Sequence, residues 1–495
     1  MAAEGMAEVS RGHSTGKPGR AEHAGQGSSG GFGDVMDQQS QQLAFDYQGT
    51  GAARLTGDQG SQAAPAPSGT AALAQGLMEA VVAPENLRRA RRRVKANGGS
   101  PGVDGMTVHE LGPYWDEQGA AIMASLLEGS YQPQPVRRAE IPKPGGGVRA
   151  QGAPVGIPTV VDRFLQQAIL QVLEPLYDPT FSEASYGYRP GRSAHQAIRA
   201  AQGHVAGGKG WVVDLDLEQF FDRVNHDLLL SRLAQRIGDR RLLRLIRRYL
   251  QAGVMCHGVV VERYEGTPQG GPRSPLLANI LLDEFDRELT RRGHAFCRYA
   301  DDCNIYVSSR RAGERVMASV SQWLERKLRL KVNLAKSGVD RPGRRTFLGF
   351  RLWGRQVRIG IAPRSLAAFK AELRKITQRR RGITLHQLIQ EINQKSMGWV
   401  SYYAIAAAKS HCRELDGWLR RRLRCFIWKQ WKTWRKRAQA LCRAGVDRHL
   451  AYALCAGRRG PWSVSHHTAL QQAVPNQYLA QQGYRSLYER FLALA

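Results

Sequence analysis

Residues 298–307 read RYADDCNIYV, and this short stretch decides the fold. Apolar runs on both sides of Ala300, Asp301 and Asp302 predict a β-hairpin whose tight turn presents the two adjacent carboxylates. A lone pair of aspartates is most often a solvated turn, so the pair by itself indicates no function. Its meaning depends on whether other acidic residues are brought to the same turn.

A second acidic strand precedes this hairpin in residues 211–222, which read WVVDLDLEQFFD. Alternation of side chains along a strand predicts two faces, with Val212, Asp214 and Asp216 on one and Val213, Leu215 and Leu217 on the other. If Asp216 and Asp301 converge, their oxygens suit Mg²⁺, which takes hard oxygen ligands together with substrate phosphates. Two such ions about 4 Å apart activate an attacking oxygen and stabilise a leaving one, which is the geometry of phosphoryl transfer.

A glycine-rich segment lies between the two acidic segments. Residues 266–279 read GTPQGGPRSPLLAN, which predicts a loop that runs into a helix. Glycines permit close approach of the backbone to a ligand, and amide groups can read a nucleotide or a template strand. No Gly-Lys-Ser/Thr follows, so the segment is not a Walker loop, and an ordinary strand-to-helix loop is the alternative.

The surrounding sequence predicts an α+β core followed by a helical basic region. Strand-like runs between residues 136 and 307 are interleaved with helical stretches at 160–176, 195–206 and 226–250. A basic helix is predicted over residues 85–95, where the turn-forming NGGSPGVDG ends it. Residues 363–455 read as successive amphipathic helices rich in Arg and Lys.

Charge and composition restrict the partner. The 495 residues carry 72 Lys and Arg against 42 Asp and Glu, a net charge of +30 that points to nucleic acid or an anionic membrane surface. Residues 1–76, rich in Gly, Ala, Ser and Gln, predict a disordered tail. Residues 1–78 hold 4 basic and 7 acidic residues, so the remaining chain carries +33. The sequence has no apolar run of 18 residues and no signal-peptide pattern, so we expect an intracellular protein with no membrane partner.

In combination, these segments resemble the group II intron-encoded reverse transcriptases. YADD (299–302) resembles their catalytic box, DLEQFFDRVNHD (216–227) their first catalytic strand, and residues 266–279 the Gln-Gly-Gly motif of this branch. Further matches follow in family order: GGSPGVDGMTV (98–108), VRRAEIPKPGGGVR (136–149), GIPTVVDRFLQQAI (156–169), FSEASYGYRPGRSAHQAI (181–198), KVNLAKS (331–337) and FLGF (347–350).

The resemblance extends to the helical region. GWVSYYAIA (398–406) and LDGWLRRRLRCFIWKQWK (415–432) resemble thumb and maturase helices, and residues 458–488 resemble the C-terminal segment of bacterial members without an HNH endonuclease domain. The resemblance implies a right-hand polymerase followed by an all-helical domain. Its implied parts are fingers and palm at 77–350 with core motifs at 122–350, a thumb/maturase domain at 351–455 and a short C-terminal segment at 456–495.

The resemblance also implies a role for each matched residue. Asp216, Asp301 and Asp302 would form the catalytic triad and, with the main-chain carbonyl of Leu217, would hold two Mg²⁺ ions. The implied nucleotide-binding residues are Lys143 and Arg149 at the triphosphate, Phe221 under the sugar, where it disfavours a ribose, and Gln269 beside the dNTP. Asp214 matches no named role and is expected to be a supporting or surface acid.

A basic helix with interleaved tryptophans is the candidate RNA surface. Residues 413–443 hold 11 basic residues against 2 acidic ones. A charge run is normally a solvated face, but this density beside a polymerase palm favours RNA contact. The candidate RNA-binding residues are Arg420, Arg421, Arg422, Arg424, Lys429 and Lys432. The implied partners are intron RNA, an RNA template with a DNA primer, dNTPs and target DNA, in the bacterial cytoplasm or nucleoid.

Two departures from the family pattern leave other functions open. Four residues, 150–153, are inserted after Arg149, and Arg273 stands where the family usually has an aliphatic residue. One alternative is a splicing-only maturase with impaired polymerase activity. The other is a domesticated reverse transcriptase that serves defence or diversification.

Overall fold

The computed structural model describes residues 74–139, 155–256, 259–261, 265–266 and 271–495. The first part contains α1 (Leu77–Val82), α2 (Pro84–Asn97), α3 (Leu111–Glu128), β1 (Val136–Ala139), β2 (Val155–Ile157), α4 (Val160–Tyr177), α5 (Ala194–Ala206), β3 (Trp211–Leu215), α6 (His226–Ala234), α7 (Arg240–Gln251), β4 (Val254–Cys256), β5 (Val259–Val261), α8 (Ser274–Arg291), β6 (Ala295–Tyr299), β7 (Asp302–Val307), α9 (Arg310–Trp323) and β8 (Gly338–Asp340). This alternation of helices and strands confirms the predicted α+β class.

The second part consists mainly of helices. It contains β9 (Phe350–Trp353), β10 (Arg358–Ile361), α10 (Pro363–Ile376), α11 (Leu385–Tyr402), α12 (Lys409–Gln430), α13 (Trp434–Arg443), α14 (Arg448–Ala456), α15 (Pro461–Val464), α16 (Thr468–Ala473), α17 (Asn476–Gln481) and α18 (Leu487–Leu494). Residues 363–455 therefore form the predicted succession of helices. No helix in the described ranges is long and apolar enough to cross a membrane. The predicted disordered tail lies outside the described residues as far as residue 73.

Four antiparallel strands form a sheet in the order β6-β7-β3-β8, which we call the palm sheet. β6 and β7 make the predicted hairpin, because Tyr299 pairs with Asp302 and the loop is only Ala300 and Asp301. Ala300 has a φ of +58°, the left-handed conformation that a tight hairpin loop requires. β3 lies beside β7, so the two acidic segments of the sequence are neighbours in the sheet.

The palm sheet separates two hydrophobic cores. Val213 and Ile305 on one face belong to a core shared with α4, α6, α7, α8 and α9. Val212 and Tyr306 on the other face belong to a core shared with α5 and the C-terminal helices. The predicted alternation along β3 is confirmed, and both faces of that strand are buried. Because packing holds the sheet on both sides, the ends of its strands are held in defined positions.

A second sheet has the strand order β2-β1-β4-β5. β1 pairs antiparallel with β2 and parallel with β4. The helices predicted over 85–95, 160–176 and 195–206 are confirmed as α2, α4 and α5. Thr159 and Ser193 begin α4 and α5 because their hydroxyl oxygens accept the N–H of the third residue of each helix.

The helical stretch predicted over 226–250 is divided into two helices. The chain forms α6 and α7, which are separated by residues 235–239. One oxygen of Asp239 caps α7 by accepting the N–H of Arg241 at 3.0 Å, and the other accepts the N–H of Met78 at 2.9 Å. The carboxylate therefore serves two chain segments, and this stabilises the break rather than a continuous helix.

The last helix is anchored by a buried carboxylate. Asp416 on α12 is 2% exposed. It accepts hydrogen bonds from the hydroxyls of Tyr484 at 2.7 Å and Ser486 at 2.6 Å, and from the N–H groups of Leu487 at 2.9 Å and Tyr488 at 3.0 Å. These four bonds begin α18 and fix it against α12.

Candidate functional site

Three aspartates meet at one end of the palm sheet, where β3 ends and β7 begins. We call this end the palm edge and the three side chains the palm-edge carboxylates. Asp301 lies in the β6–β7 turn, and Asp302 is the first residue of β7. Leu215 pairs with Cys303, so the next residue along the chain from β3, Asp216, comes opposite Asp302. The structure thus brings together the three carboxylates that the sequence placed at strand ends.

The pKa values of two of these carboxyls are raised, first by burial and then by neighbouring carboxylates. Burial, followed by the charges of Asp301, Asp214 and Asp216, raises the pKa of Asp302 to about 7. Burial and the charge of Asp216 also raise the pKa of Asp301. Asp302 keeps contact with solvent, which moderates the effect of burial, but the neighbouring charges act in the same direction. A cation at this edge would relieve the repulsion.

The segment KVNLAKS holds Asp216 in place. The Asp216 N–H donates to the hydroxyl oxygen of Ser337 at 2.9 Å, and its carbonyl accepts the N–H of Asn333 at 2.8 Å. The Lys336 ammonium lies 3.2 Å from the Asp216 carboxylate. The sequence alone indicates no role for Lys336, since no local pattern points to a contact 120 residues away.

The main-chain carbonyl of Leu217 faces the same edge. Leu217 lies opposite Val332 in an isolated antiparallel bridge. The hydrogen bonds on this side are made by the residues next to Leu217: the Asp216 carbonyl accepts the Asn333 N–H, and the Glu218 N–H donates to the Lys331 carbonyl at 2.8 Å. Because carbonyls alternate in direction along an extended chain, the Leu217 carbonyl points away from Val332, toward the β7 side. The Leu217 side chain is 6% exposed and anchors this position in the core.

The donor set suits a divalent cation. Three carboxylates with a main-chain carbonyl provide the hard oxygen ligands that divalent cations such as Mg²⁺ take. In the part of the chain that the structure describes, no three His, Cys, Asp or Glu side chains are close enough to enclose an ion. The cation nearest to Asp216 is instead the Lys336 ammonium. The mutual repulsion and the oxygen chemistry both fit the expected metal.

Of the predicted nucleotide-binding residues, only Phe221 is described. Its ring centre lies 5.1 Å from that of Phe220. Gly266, with a φ of +88°, crosses closely over this segment, since a Cβ there would approach the Phe221 carbonyl to 2.9 Å. The start of the glycine-rich loop therefore lies on the segment that carries Phe221. Lys143, Arg149 and Gln269, together with the insertion 150–153, lie outside the described residues.

Tyr188 is a site residue that sequence reasoning missed. It has a φ of +56°, and its ring centre lies 6.3 Å from that of Tyr299. Burial and then the charge of Asp301 raise the pKa of Tyr188 to about 12. The available signal was its place in the matched segment FSEASYGYRPGRSAHQAI, but nothing local shows that this loop packs on the turn.

Asp214 supports the site from within the same strand face. Its carboxylate lies 3.5 Å from the Arg345 guanidinium. Burial raises the pKa of Asp214 to about 6, with Arg345 opposing the rise and Asp216 adding to it. Asp214 is therefore a half-buried, ion-paired acid within β3, two residues before Asp216.

Three of the six candidate RNA-binding residues are engaged inside the protein. Arg421 donates to the Trp462 carbonyl at 2.8 Å and stacks 3.6 Å from its ring centre. Arg422 donates to carbonyls at the end of α10 at 3.2 Å. Arg424 is 9% exposed and donates to the Val474 carbonyl at 2.9 Å. These arginines hold neighbouring segments against α12.

The exposed basic surface lies further along the chain, at the end of α12 and on α13. Lys429 and Lys432 are exposed, as are Arg435 and Lys436. Two exposed aromatic side chains lie among them, Trp434 at 49% exposure and Tyr452 at 41%. Their ring centres are 6.1 Å apart. Basic and aromatic side chains in this combination suit phosphates and unpaired bases.

Two protein families match the regions that carry the palm-edge carboxylates and the basic helices. Residues 141–352 match the family "Reverse transcriptase (RNA-dependent DNA polymerase)", and residues 366–445 match "Group II intron, maturase-specific domain". The chain belongs to the group II intron reverse transcriptase and maturase family. The resemblance read from the motifs is confirmed, and the family's enzyme class is RNA-directed DNA polymerase, a nucleotidyltransferase.

Individual relatives of this reverse transcriptase cover different shares of the chain. Protein YkfC of Escherichia coli K12 is 34% identical over 329 residues, which are 58% of this chain and 85% of YkfC. Group II intron-encoded protein LtrA of Lactococcus lactis is 40% identical over 172 residues, 35% of this chain and 28% of LtrA. The reverse transcriptase thus aligns with less than a third of LtrA. A partial Cas6-RT-Cas1–Cas2 complex is 28% identical with a TM-score of 0.34, over 51% of this chain and 43% of that chain.

Proposed function

We propose that this reverse transcriptase synthesises DNA on an RNA template, binds the RNA of a group II intron as a splicing maturase and supports intron mobility into target DNA. The observation that carries the polymerase proposal is the meeting of Asp216, Asp301 and Asp302 at one sheet edge within the reverse transcriptase match. The maturase match over residues 366–445 supports the RNA-binding part.

We assign the palm-edge carboxylates, with the Leu217 carbonyl, to two Mg²⁺ ions. When bound, the ions supply Lewis-acid stabilisation of the attacking primer 3′-oxygen and of the leaving pyrophosphate. Asp216 and Asp302 come from adjacent strands, so strand pairing sets their spacing before substrate arrives. Such fixed placement matters because reacting atoms must be held about 3–3.5 Å apart.

We assign the incoming nucleotide to the region of Phe221 and the glycine-rich loop. The Phe221 ring, held by Phe220 and crossed by the main chain of Gly266, would lie under the sugar and exclude a ribose 2′-hydroxyl. Lys143 and Arg149 would neutralise the triphosphate through charge-assisted hydrogen bonds. Gln269 would line the same site.

We assign RNA contact to the exposed end of the basic region. Lys429 and Lys432 would bind phosphates, and Arg420 on the half-exposed face of α12 would extend the surface. The engaged arginines at 421, 422 and 424 would hold the surface in shape through their bonds to main-chain carbonyls. We also propose that residues 77–350 form the fingers and palm and that residues 351–455 form the thumb and maturase domain. The protein would act in the bacterial cytoplasm or nucleoid.

The experiment is Mg²⁺-dependent incorporation of dNTPs by the full chain on an RNA template with an annealed DNA primer. Asp301→Asn removes one charge at constant size, and we expect it to lower incorporation by at least about 100-fold. Asp116→Asn is the matched control, because the Asp116 side chain is 76% exposed on α3. Equal incorporation by wild type and Asp301→Asn would overturn the assignment.

A splicing-only maturase is the second candidate. The insertion 150–153 favours it, because displacement of Arg149 would remove a contact to the triphosphate. Splicing of the cognate intron by a wild-type protein that incorporates no dNTP, together with incorporation regained on deletion of 150–153, would establish this candidate. Incorporation by wild type would exclude it.

A further inference from the structure

Arg298 is buried directly behind the catalytic turn. It lies on β6 and is 1% exposed, and its partner Asp286 on α8 is 0% exposed. The guanidinium grips the Asp286 carboxylate with two bonds, from Nε at 2.7 Å and from Nη2 at 2.6 Å. A buried ion pair of this kind adds little net stability, because desolvation of both charges offsets their attraction. Its other contacts indicate what the pair is for.

The remaining donors of Arg298 reach three further groups. Nη1 donates to the carbonyl of Ala300 at 2.9 Å and to the side-chain oxygen of Asn279 at 2.9 Å. Nη2 donates to the hydroxyl of Ser185 at 2.8 Å. One side chain thus joins the turn that carries Asp301 to helix α8 and to the loop before Tyr188. We call this set of contacts the turn clamp.

Asn279 closes the turn clamp on its far side. Its amide donates to the Gly187 carbonyl at 2.9 Å. Gly187 packs so tightly on the turn that a Cβ there would lie 2.3 Å from the N–H nitrogen of Ala300. Asn279 also lies one turn into α8, the helix that follows the glycine-rich loop. Helix α8 and the Gly187 loop therefore contact the turn together.

The turn needs such support because its conformation is unfavourable for its sequence. Ala300 has a φ of +58°, a region that L-residues with a Cβ rarely occupy. The Arg298 bond to the Ala300 carbonyl fixes the peptide that joins Ala300 to Asp301. Rotation of this peptide would redirect the Asp301 carboxylate.

We propose that Arg298 is a positioning residue that fixes the direction of the Asp301 carboxylate through the Ala300 carbonyl. The inference rests on the proposed polymerase function and adds a residue that touches neither substrate nor metal. Lys in place of Arg keeps the charge but has a single nitrogen, so it cannot serve Asp286, Ala300 and Ser185 at once. The turn clamp is then lost while the buried charge stays paired.

The test compares Arg298→Lys with wild type in two assays on the full chain. In primer extension we expect kcat to fall by about 100-fold, with the KM for dNTP within about twofold, because a misplaced carboxylate weakens the transition state more than nucleotide binding. The electron paramagnetic resonance signal of the free ion measures Mn²⁺ binding, and we expect the Mn²⁺ affinity of Arg298→Lys to be at least about fivefold weaker than that of wild type.

Arg248→Lys is the matched control. Arg248 on α7 donates to the carbonyls of Gly129 at 2.7 Å and Tyr131 at 2.8 Å, remote from the turn. We expect Arg248→Lys to lower the thermal midpoint without changing kcat or Mn²⁺ affinity per folded molecule. Equal kcat and equal Mn²⁺ affinity in the Arg298→Lys and Arg248→Lys proteins would overturn the proposal.

Ser185→Ala keeps the proposal testable if Arg298→Lys does not fold, because it removes one bond of the turn clamp and leaves the ion pair intact. We expect a severalfold lower kcat and weaker Mn²⁺ binding, and unchanged values of both would overturn the proposal. The Mn²⁺ assay also separates the two claims. A wild-type chain that extends no primer contradicts the proposed function, whereas the effect on ion binding still reports on Arg298.

Discussion

The palm-edge carboxylates and the arginines of α12 are both clusters of one charge, but their surroundings differ. At the palm edge, the pKa values of Asp301 and Asp302 are raised, and the Lys336 ammonium is paired with Asp216. On α12, Arg421 and Arg424 donate to main-chain carbonyls and pack against neighbouring segments. The first cluster stores repulsion that a ligand can relieve, whereas much of the second is already satisfied within the fold.

Charge density alone therefore does not locate a binding site. The carboxyls at the sheet edge raise one another's pKa values, and a bound cation would relieve this repulsion. A guanidinium carries five donors on a long stem and readily satisfies them on carbonyls of its own chain. Substitutions can therefore separate the charges that bind a partner from the charges that stabilise the fold.

The largest expected effect is at Asp302. Asp302→Asn should lower incorporation by at least about 100-fold yet stabilise the metal-free protein, because it removes a repelled charge. The raised pKa means that the folded state keeps a proton that the unfolded state loses, so stability falls as pH rises toward about 7. The gain in urea unfolding should therefore be larger at pH 8 than at pH 5. A loss of stability at pH 8 would contradict the picture of mutual repulsion.

Asp416 should behave in the opposite way. Asp416→Ala leaves four buried donors without their acceptor, and we expect the free energy of unfolding to fall by about 3 kcal/mol. Asp447→Ala is the control: Asp447 caps α14 with one bond to Leu450 at 2.9 Å, and its loss should cost about 1 kcal/mol. Urea unfolding measures both values. Equal losses in the two variants would show that the anchor of α18 contributes no more than an exposed cap.

Lys429 and Lys432 should dominate the salt dependence of RNA binding. Replacing both with Gln should reduce the slope of log affinity against log salt concentration by about 1.4, since each phosphate contact on a single strand contributes about 0.7. Arg424→Gln should lower stability and leave the slope unchanged, because Arg424 is buried. Filter binding of a single-stranded RNA over a salt series measures the slope. An unchanged slope in the double lysine variant would exclude Lys429 and Lys432 from the RNA-binding surface.

The smallest expected effect is at Trp434. Trp434→Ala should weaken binding of single-stranded RNA by about fivefold and binding of duplex RNA of equal length by less, because only unpaired bases can stack. Tyr114→Ala is the control, an aromatic of 37% exposure on α3. Fluorescence anisotropy measures both affinities, and equal weakening on single strand and duplex would remove stacking from the account.

The sequence predicts the local parts of the site well. Period-two alternation and the apolar runs around YADD predict strand β3 and the β6–β7 hairpin, because both patterns depend on neighbours in the chain. The contacts of Lys336, Tyr188 and Arg298 are not predictable in this way, since each joins segments distant in sequence. The division between α6 and α7 is stabilised by the bond of Asp239 to the N–H of Met78, 161 residues earlier, which no local pattern indicates.

The proposed chemistry depends on the binding of a divalent cation by the palm-edge carboxylates. The most direct measurement is the anomalous diffraction of Mn²⁺ in crystals of the full chain soaked with the ion, beside crystals of Asp301→Asn. We expect a peak in contact with Asp216, Asp301 and Asp302 in wild type, with the Lys336 ammonium displaced from Asp216, and a weaker or absent peak in the variant. Wild-type crystals with no peak at this edge, and Lys336 still on Asp216, would contradict it.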